Sequence, residues 1–312
     1  MIISIVTAAH NASPTIGAML SSIYAPPLPQ GWTLDVIVID DGSRDSEALK
    51  GIVAKYPDAR LFQYTVNLGK LAAVNYAVPK THGSIVVILD ADDTLVPEWP
   101  SQLKTILHDW PSDTPICFSA CKTNDGGTTV SDPMYTGYLS FDDMLNDRHM
   151  GEYLPLFRGS AIRKAGGYKN PGRGVGCELW TYLTYAEQTD LWISSEVMRV
   201  YNNQSADSLS SSLFTPEGAA KLTRCYDLIF KDFEDAYKKN APQTLGLRKM
   251  RQAVFSAISG QRNRAWALWK SGAQFQAPLE TLGAMVLIGL GPKAIKQLVV
   301  LAKRLGLLRR YG

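Results

Sequence analysis

The sequence is poor in cysteine and nearly balanced in charge. Its 312 residues include 4 cysteines, and 32 basic against 29 acidic residues give a net charge of +3. So small a positive excess does not indicate a nucleic-acid-binding protein. Cys117 and Cys121 lie on one predicted strand, roughly 13 Å apart at the strand rise, so they cannot bridge each other. With no CxxC pair present, we expect reduced thiols at all four positions.

The sequence also lacks a long hydrophobic run. The longest candidate, residues 282–290, is well short of the roughly 18 residues of a membrane-spanning helix. The N-terminus carries no basic region, and its apolar run breaks at His10, so we expect no signal peptide. A hydrophobic content of 46% is enough for one large α/β domain with an appendage, or for two domains.

Two glycine-rich signatures are missing after the first predicted strand, residues 2–7. The absence of a GxGxxG motif argues against a dinucleotide-dependent oxidoreductase. Residues 7–14 contain no glycine, arginine or lysine with which a nucleotidyltransferase would hold a triphosphate. Both classes are therefore disfavoured.

What the chain does contain is an alternation of apolar strands and amphipathic helices. Predicted strands cover residues 2–7, 34–39 and 84–89, and the first two end at a polar turn that leads into a helix. This is the βαβ pattern of a parallel sheet. Residues 84–89 are apolar on both faces, which is typical of a buried central strand.

Acidic residues follow two of these strands. Asp40 and Asp41 come after the second strand, and Asp90, Asp92 and Asp93 come after the central one. Ligands of α/β sheets bind beyond the carboxyl ends of the strands, so we expect both groups to face one crevice. Three crowded carboxylates repel one another unless a cation neutralises them, which suits Mg²⁺ or Mn²⁺. The alternative is two ordinary turns, the later one forming a helix cap.

Four motifs in order resemble those of family 2 glycosyltransferases with the GT-A fold. They are residues 4–11 (SIVTAAHN), residues 36–45 (VIVIDDGSRD), Asn67-Leu68-Gly69-Lys70 with Ala73 and Asn75, and residues 89–93 (LDADD). The resemblance covers roughly residues 1–201. It implies an α/β, Rossmann-like fold with a mostly parallel central sheet flanked by helices. We expect a GT-A domain over residues 1–212 and an α-helical region over residues 213–312.

The resemblance also implies a nucleotide-sugar donor and residues that bind it. Those implied around the nucleotide are Thr7, Ala8, Asp40, Asp41, Asn67, Lys70 and Asp90. Asp92 and Asp93 are implied at a Mn²⁺ or Mg²⁺ ion, with Asp92 the better ligand. One departure is His10, where the family often has tyrosine; it matters little if that turn contributes mainly backbone.

The segment 151–169 resembles the acceptor side of the family's site. Glu152 and Arg158 are the residues there that can contact an acceptor or phosphates. An arginine in such a place is about as often part of a surface ion pair, so both interpretations stay open.

The catalytic base lies at a departure from the family pattern. Many members carry a Glu-Asp pair shortly before a Leu-Trp helix start, and here Val175 and Gly176 stand at that place. Glu178 is the nearest carboxylate, at a helix N-terminus whose dipole stabilises an anion. It is either the base or a helix cap. In the second case Glu152 or Glu187 serves, or the chain binds a donor without transferring it.

The C-terminal region is predicted to be helical and basic. A last helix from Pro292 carries an apolar stripe beside Lys293, Lys296, Lys303, Arg304, Arg309 and Arg310. Together with residues 282–290, this fits a helix lying on an anionic membrane surface. The alternatives are an ordinary packed appendage and a surface for a protein partner.

These patterns, with the resemblance, predict a metal-dependent glycosyltransferase. It would move a sugar, with inversion, from a nucleoside diphosphate-sugar, UDP-sugar favoured, to a hydroxyl of a glycan or polyprenyl-linked acceptor in cell-surface polysaccharide biosynthesis. We expect it in the cytoplasm, on the inner face of the membrane, without a nucleic-acid partner. The alternatives are a non-catalytic nucleotide-sugar-binding or scaffold protein that has lost its base and, second, a nucleotidyltransferase.

Overall fold

The computed structural model describes residues 1–56, 58–172, 177–203, 213–275 and 278–290, together with Ala294 and Gln297. Val175 and Gly176, where the family's acidic pair was sought, lie outside the described residues. So do the six basic side chains of the predicted last helix.

Strands and helices alternate through the first half of the described chain. The strands are β1 Ile2–Ala9, β2 Thr33–Asp41, β3 Ala59–Tyr64, β4 Ile85–Ile88, β5 Thr94–Leu95, β6 Ile116–Thr123, β7 Gly137–Leu139, β8 Leu154–Arg158 and β9 Leu191–Tyr201. The helices are α1 Ile16–Tyr24, α2 Ser46–Val53, α3 Lys70–Ala77, α4 Trp99–Asp109, α5 Phe141–Leu145, α6 Gly159–Ala165, α7 Glu178–Ala186, α8 Pro216–Asn240, α9 Pro242–Ile258, α10 Arg262–Ala273 and α11 Pro278–Leu290.

The described strands form one sheet in the order β3-β2-β1-β4-β8-β6-β9-β5, with β7 paired to β9. Strands β3, β2, β1 and β4 are parallel, as are β6 and β9. Strand β8 runs antiparallel between β4 and β6, and β5 runs antiparallel to β9. The predicted α/β fold, with a mostly parallel sheet, flanking helices and a helical C-terminal region, is confirmed.

Burial explains why these segments form strands and helices. All four residues of β4 are buried, as expected for an apolar central strand. Helix α1 buries Ile16, Met19, Leu20 and Ile23, which share one face at helical spacing. That face packs with residues of β1, β2 and β4, and with the fully buried Trp99, in the main hydrophobic core.

The chain divides into two compact units. The first comprises Met1–Phe141, His149–Arg173 and Thr184–Ser205, and it contains the sheet. The second comprises Asp142–Arg148, Gly174–Leu183 and Ala206–Gly312. The second unit thus takes in two short segments that precede residue 212 in the sequence.

The second unit is helical, and a disulfide joins two of its segments. Cys177 precedes α7 and is bonded to Cys225 of α8, 48 residues further along the chain. The expectation of four reduced cysteines is therefore wrong for this pair, because spacing in the sequence does not reveal that the two helices meet. Cys117 and Cys121 are buried free thiols on β6, as expected.

Helix α8 packs one face into the core of the second unit. Its buried face includes Ile229, Phe233 and Tyr237. Two ion pairs add to the packing: Arg248 binds Asp147, and Lys249 Nζ lies 2.8 Å from Glu234 Oε1. Over the part of the chain that the structure describes, no helix is long and apolar enough to cross a membrane.

Candidate functional site at the carboxyl edge of the sheet

The register of the parallel strands brings the two acidic segments to one edge. Ala9 at the end of β1 pairs with Asp40 of β2, and Val6 of β1 pairs with Ile88 at the end of β4. Strands β2 and β4 thus flank β1, and the acidic residues at the end of each lie at the same edge of the sheet. The two acidic segments therefore lie at one edge of the sheet in the first unit.

Asp40 holds the turn after β2. Its side chain is fully buried, and it accepts hydrogen bonds from the amide of Ser43 at 3.0 Å, from the hydroxyl of Ser46 and from Gln63 at 3.4 Å. Burial on its own would raise the pKa of Asp40, but these hydrogen bonds hold it below its usual value. Asp40 therefore shapes the start of α2, and its contribution to the crevice is the position of the turn.

Asp41 holds the neighbouring loop. Its two carboxylate oxygens accept hydrogen bonds from the amides of Leu68 at 2.7 Å and Gly69 at 2.8 Å. Gly69 has a φ of 97° at the start of α3, a conformation that glycine adopts without strain. Asp41 thereby brings Asn67 and Lys70 to the end of β2, and their assignment to the nucleotide stays a prediction.

Thr7 and Ala8 lie at the end of β1, at the same edge. The side chain of Thr7 is buried, with its hydroxyl 3.9 Å from the sulfur of Met19. Ala8 is only partly buried. Any contact of Thr7 with a nucleotide would therefore involve its backbone.

Lys70 and Asp90 form an ion pair across the edge. Lys70 Nζ lies 2.7 Å from Asp90 Oδ1, and each side chain is about one-third exposed, at 30% and 33%. The second oxygen of Asp90 lies 3.9 Å from Nη1 of Arg199. Burial alone would raise the pKa of Asp90, but the charges of Lys70 and Arg199 lower it. Asp90 is therefore an anion with two cationic neighbours.

Arg199 is a site residue that the sequence reasoning missed. It lies on β9, is 2% exposed, and contacts carboxylates from two other segments. Its Nη1 lies 3.0 Å from Asp93 Oδ2, and its Nη2 lies 3.6 Å from Glu152 Oε2. No motif in the sequence marks this arginine, because its partners meet it only through the pairing of β9 with β5 and β6.

Asp93 faces inward, toward β9. It is 2% exposed, one oxygen lies against Arg199, and the other accepts a hydrogen bond from the amide of Asn202 at 2.8 Å. Burial, reinforced by the charges of Asp90 and Asp92 and opposed by that of Arg199, raises the pKa of Asp93 to about 7. A buried carboxylate already used in this way does not suit a metal ion, although the sequence placed Asp93 at the metal.

Asp92 borders a cavity of about 200 Å³ in the first unit. The other lining residues are Pro14, Thr15, Ala18, Thr94, Asn124, Val200 and Asn202. Within the described residues, no three His, Cys, Asp or Glu side chains come together as a metal-binding group. Mg²⁺ and Mn²⁺ sites that also use substrate phosphates need only one or two carboxylates. Asp92, partly exposed at the cavity, fits that requirement.

The two predicted acceptor residues lie in different places. Glu152 is at the acidic edge, next to Arg199, with 41% of its side chain exposed. Arg158 pairs with Ile85 at the start of β4, at the opposite end of that strand from Asp90. Its guanidinium lies 3.9 Å from the ring centre of Trp110 and donates to the carbonyl of Trp110 at 3.0 Å. The structure therefore places Arg158 away from the acidic edge of the sheet.

Glu178, the candidate base, belongs to the second unit. It is the first residue of α7, a helix of nine residues, and its side chain is partly buried. Glu187 follows the end of the same helix and is exposed. Cys177, directly before Glu178, is anchored to α8 by the disulfide. The candidate base is thus held at a helix N-terminus with a fixed neighbour.

Solved structures similar to the chain show its fold. Staphylococcus aureus TarS 1-349 in complex with UDP-GlcNAc has a TM-score of 0.65 and 16% identity, covering 98% of this chain and 92% of that chain. The mannosyltransferase PcManGT from Pyrobaculum calidifontis, in complex with GDP-Man and Mn²⁺, has a TM-score of 0.53 and 20% identity, covering 95% and 86%.

Sequence comparisons identify the family. The succinoglycan biosynthesis protein ExoU of Rhizobium meliloti (strain 1021) is 35% identical over 103 residues, which cover 32% of this chain and 29% of that relative. The shared stretch is thus less than a third of the relative's length. A family model described as glycosyl transferase family 2 matches residues 4–159, half of the chain and all of the acidic segments described above. The chain belongs to glycosyl transferase family 2.

Proposed function

We propose that this protein transfers a sugar from a nucleoside diphosphate-sugar to a hydroxyl of a glycan or lipid-linked acceptor. The observation that carries the proposal is the cluster of Asp41, Lys70, Asp90 and Asp92 at the carboxyl edge of the sheet in a member of this family. At this edge Asp41 holds a loop, Lys70 supplies a cation and Asp92 supplies a partly exposed carboxylate. These groups suit a charged nucleotide.

The proposed donor is a UDP-sugar. The similar structure of TarS, solved in complex with UDP-GlcNAc, supports this choice of nucleotide. In our proposal Asn67 and Lys70 contact the nucleotide, and Lys70 turns from Asp90 toward the diphosphate. Asp90 then keeps a neutralising neighbour, because the buried Arg199 lies 3.9 Å away.

Asp92 is the residue that would hold a Mn²⁺ or Mg²⁺ ion, together with the phosphates of the donor. PcManGT was solved in complex with both GDP-Man and Mn²⁺, which supports a metal in this fold. Bound there, the ion would offset the negative charge that develops on the departing nucleoside diphosphate. Asp93 is left out of the proposed site, because its carboxylate is used by Arg199 and by the amide of Asn202.

Glu178 is the proposed general base, and transfer proceeds with inversion. Its carboxylate would take the proton of the acceptor hydroxyl as that oxygen attacks the anomeric carbon. Glu178 is the first residue of α7 and its side chain is partly buried. Glu152, partly exposed beside Arg199, is the proposed contact to the acceptor.

The proposed acceptor is presented at the inner face of a cell membrane, in surface polysaccharide biosynthesis. The name of the relative ExoU, a succinoglycan biosynthesis protein, supports this type of product. Leu282, Val286 and Leu290 of α11 are each about half exposed and lie on one face of the helix. The residues that follow in the sequence, 291–312, include six basic and no acidic residues, a composition suited to anionic lipid.

Calorimetric titration of UDP-, GDP- and dTDP-sugars tests the donor and the metal without the acceptor. We expect one nucleotide class to bind in the presence of Mn²⁺ and to bind much more weakly after EDTA. Asp92→Asn should weaken Mn²⁺-dependent binding by about tenfold or more, equivalent to about 1.4 kcal/mol. The control is Asp58→Asn, which removes an exposed acid outside the site. If no nucleotide binds with or without metal, the proposal is wrong, and a chain that keeps the fold without its chemistry becomes the better explanation.

A further inference from the structure

The buried guanidinium of Arg199 is stabilised by charged and polar neighbours. It is 2% exposed, and each of its three side-chain nitrogens has a partner. Nε donates to Cys121 Sγ at 3.1 Å, and Nη2 donates to the carbonyl of Tyr153 at 3.2 Å. Nη1 lies 3.0 Å from Asp93 Oδ2. Burying a guanidinium is costly unless it is compensated in this way, so the position is highly specified.

The partners of Arg199 hold one side of residues 90–94, here called the acidic segment, in place. Asp93 Oδ2 faces Arg199, and Asp93 Oδ1 accepts from the amide of Asn202. The next residues form β5, whose Leu95 pairs with Arg199 itself. The amide of Val96 then donates to the carbonyl of Met198 at 2.9 Å. The acidic segment is thus attached to β9 by an ion pair and by backbone pairing.

Asp92 lies on the other side of the same segment. It borders the cavity, whereas Asp93 is buried against β9. Ala91 and Asp92 form a turn that is closed by a hydrogen bond from the amide of Asp93 to the carbonyl of Asp90 at 3.2 Å, so holding Asp93 against β9 fixes the end of the turn that carries Asp92. The charge on Arg199 also allows two carboxylates, Asp90 and Asp93, to lie close together at this point.

We propose that Arg199 is a positioning residue that directs Asp92 toward the metal and donor by holding Asp93 against β9. This inference rests on the proposed function for its consequence, donor binding. It stands on geometry alone for its structural part, the orientation of residues 90–94. Arg199 itself is too deeply buried to contact the substrate, so its effect passes through Asp93.

The test removes the ion pair without leaving a buried charge behind. In the double variant Arg199→Met with Asp93→Asn, asparagine keeps an acceptor for the amide of Asn202 while both charges are lost. Thermal unfolding checks that the variant folds. Hydrogen exchange of the amides of residues 91–94 should then rise by about tenfold or more, while the amides of β1 and β4 stay protected. Mn²⁺-dependent binding of UDP-GlcNAc should fall by a similar factor.

Two further variants keep the inference falsifiable. Arg199→Lys retains the charge but not the three-way contact, so it should give intermediate exchange and intermediate binding, even if the double variant fails to fold. The matched control is Arg60→Met, which removes the partner of another buried carboxylate, Asp35, in the same unit. That variant should leave donor binding and the exchange of residues 91–94 unchanged.

The outcomes separate this inference from the proposed function. Unchanged exchange at residues 91–94 in the double variant overturns the positioning role, even if binding falls, because Asp93 would then act as a ligand itself. Wild-type binding of UDP-GlcNAc and of Mn²⁺ tests the proposed function separately. If the wild type binds neither, the proposed function fails, and the exchange measurement still decides whether Arg199 orients the segment.

Discussion

Carboxylates that are neighbours in this sequence have different roles in the structure. Asp40 and Asp41 both accept hydrogen bonds from the chain around them, and Asp93 is paired with Arg199. Asp92 borders the cavity, and Asp90 lies between a partly exposed lysine and a buried arginine. Some acidic residues of this cluster therefore hold the surrounding chain in place, and only the others lie where a ligand can contact them.

Glu178→Gln tests the proposed base. Because glutamine keeps the size of the side chain but cannot accept a proton, we expect turnover to fall by about 10²- to 10⁴-fold. Donor affinity should stay nearly constant, since the base acts on the acceptor. The measurement is the rate of transfer to a glycan acceptor together with a donor titration.

The rival bases serve as comparisons for that variant. Glu152→Gln and Glu187→Gln carry the same change at a residue beside Arg199 and at an exposed residue after α7. A normal rate in Glu178→Gln, with a large loss in one of these, would move the role of base to that residue. A normal rate in all three variants would show that none of these glutamates is the base.

Asp35 should make stability depend on pH. It accepts hydrogen bonds from the hydroxyl of Ser4 at 2.6 Å, the amide of His82 at 2.9 Å and Arg60 at 2.5 Å. Burial would raise its pKa, but these partners lower it below the usual value. A depressed pKa in the folded state stabilises the protein above about pH 4, and this stabilisation is lost as pH falls through the folded pKa.

Urea unfolding at pH 7 and pH 3 checks this effect. We expect Asp35→Asn to lower the free energy of unfolding by about 1–3 kcal/mol at pH 7. The difference from wild type should be smaller at pH 3, below the unfolded-state pKa, because part of the stabilisation from the depressed folded-state pKa has been lost there. Asp58→Asn, at an exposed position, should change stability by less than about 0.5 kcal/mol at either pH. An equal loss for Asp35→Asn at both pH values would contradict the assignment.

Sequence reasoning located the acidic residues of the site but not their orientation. Asp41 and Asp90 could be placed because each follows an apolar strand, and parallel strands end at one edge. The inward turn of Asp93 depends on Arg199, more than 100 residues later, so no local pattern contains it. For Arg158 the sequence left an acceptor contact and an ion pair open, and only the antiparallel pairing of β8 with β4 shows which end of the sheet it occupies.

At the scale of elements, predictability follows the local strength of the hydrophobic pattern. The predicted strands 2–7, 34–39 and 84–89 correspond to β1, β2 and β4, whose residues are buried on both faces. Strand β5 has two residues and exists because Thr94 and Leu95 pair with β9. A strand of two residues has no hydrophobic pattern that could predict it, although its pairing with β9 holds the acidic segment in place. Strand β5 could therefore not be predicted, whereas β1, β2 and β4, which also end at the candidate site, could.

The exposed face of α11 should contribute to membrane binding if the proposed location is right. Replacing Leu282, Val286 and Leu290 by serine removes apolar surface worth about 1.5–3 kcal/mol per fully buried side chain. We expect binding to vesicles that contain phosphatidylglycerol to weaken by about tenfold or more. Cosedimentation measures this directly, with pure phosphatidylcholine vesicles as the uncharged comparison.

The matched control for α11 is an exposed apolar residue elsewhere. Met134 lies in the first unit with 83% of its surface exposed, and Met134→Ser should leave vesicle binding unchanged. Ile288 is unsuitable for substitution, because it is fully buried on the packed side of α11. Undiminished binding of the triple serine variant would indicate an ordinary packed appendage at this helix.

At the scale of the whole molecule, the two units are not two successive stretches of sequence. The sequence predicted a GT-A domain over residues 1–212 and a helical region over residues 213–312. In the structure, residues 142–148 and 174–183 belong with the C-terminal helices. The candidate base Glu178 is among them, whereas Asp41, Asp90 and Asp92 belong to the unit that contains the sheet.

A fragment ending at residue 212 should consequently be damaged in a specific place. It would lose three contacts of residues 142–148 and 174–183, here called the early segments. These are the disulfide between Cys225 and Cys177, the hydrogen bond from Trp180 to Asp232, and the ion pair between Arg248 and Asp147. A disulfide closing a loop of 48 residues contributes about 4 kcal/mol by the chain-entropy model. Without these contacts, we expect residues 142–148 and 174–183 to become sites of rapid proteolysis, while the strands of the sheet stay protected.

Limited proteolysis followed by mass spectrometry compares this fragment with a chain ending at residue 290. The longer chain retains α8 to α11 and all three partners, so we expect both early segments to resist cleavage in it and in the full chain. Reducing the disulfide in the longer chain should expose residues 174–183 in part, because Cys177 is then held only by packing. Equal protection in the fragment ending at 212 would mean that the early segments fold with the sheet, and that the predicted boundary divides the chain into independent domains.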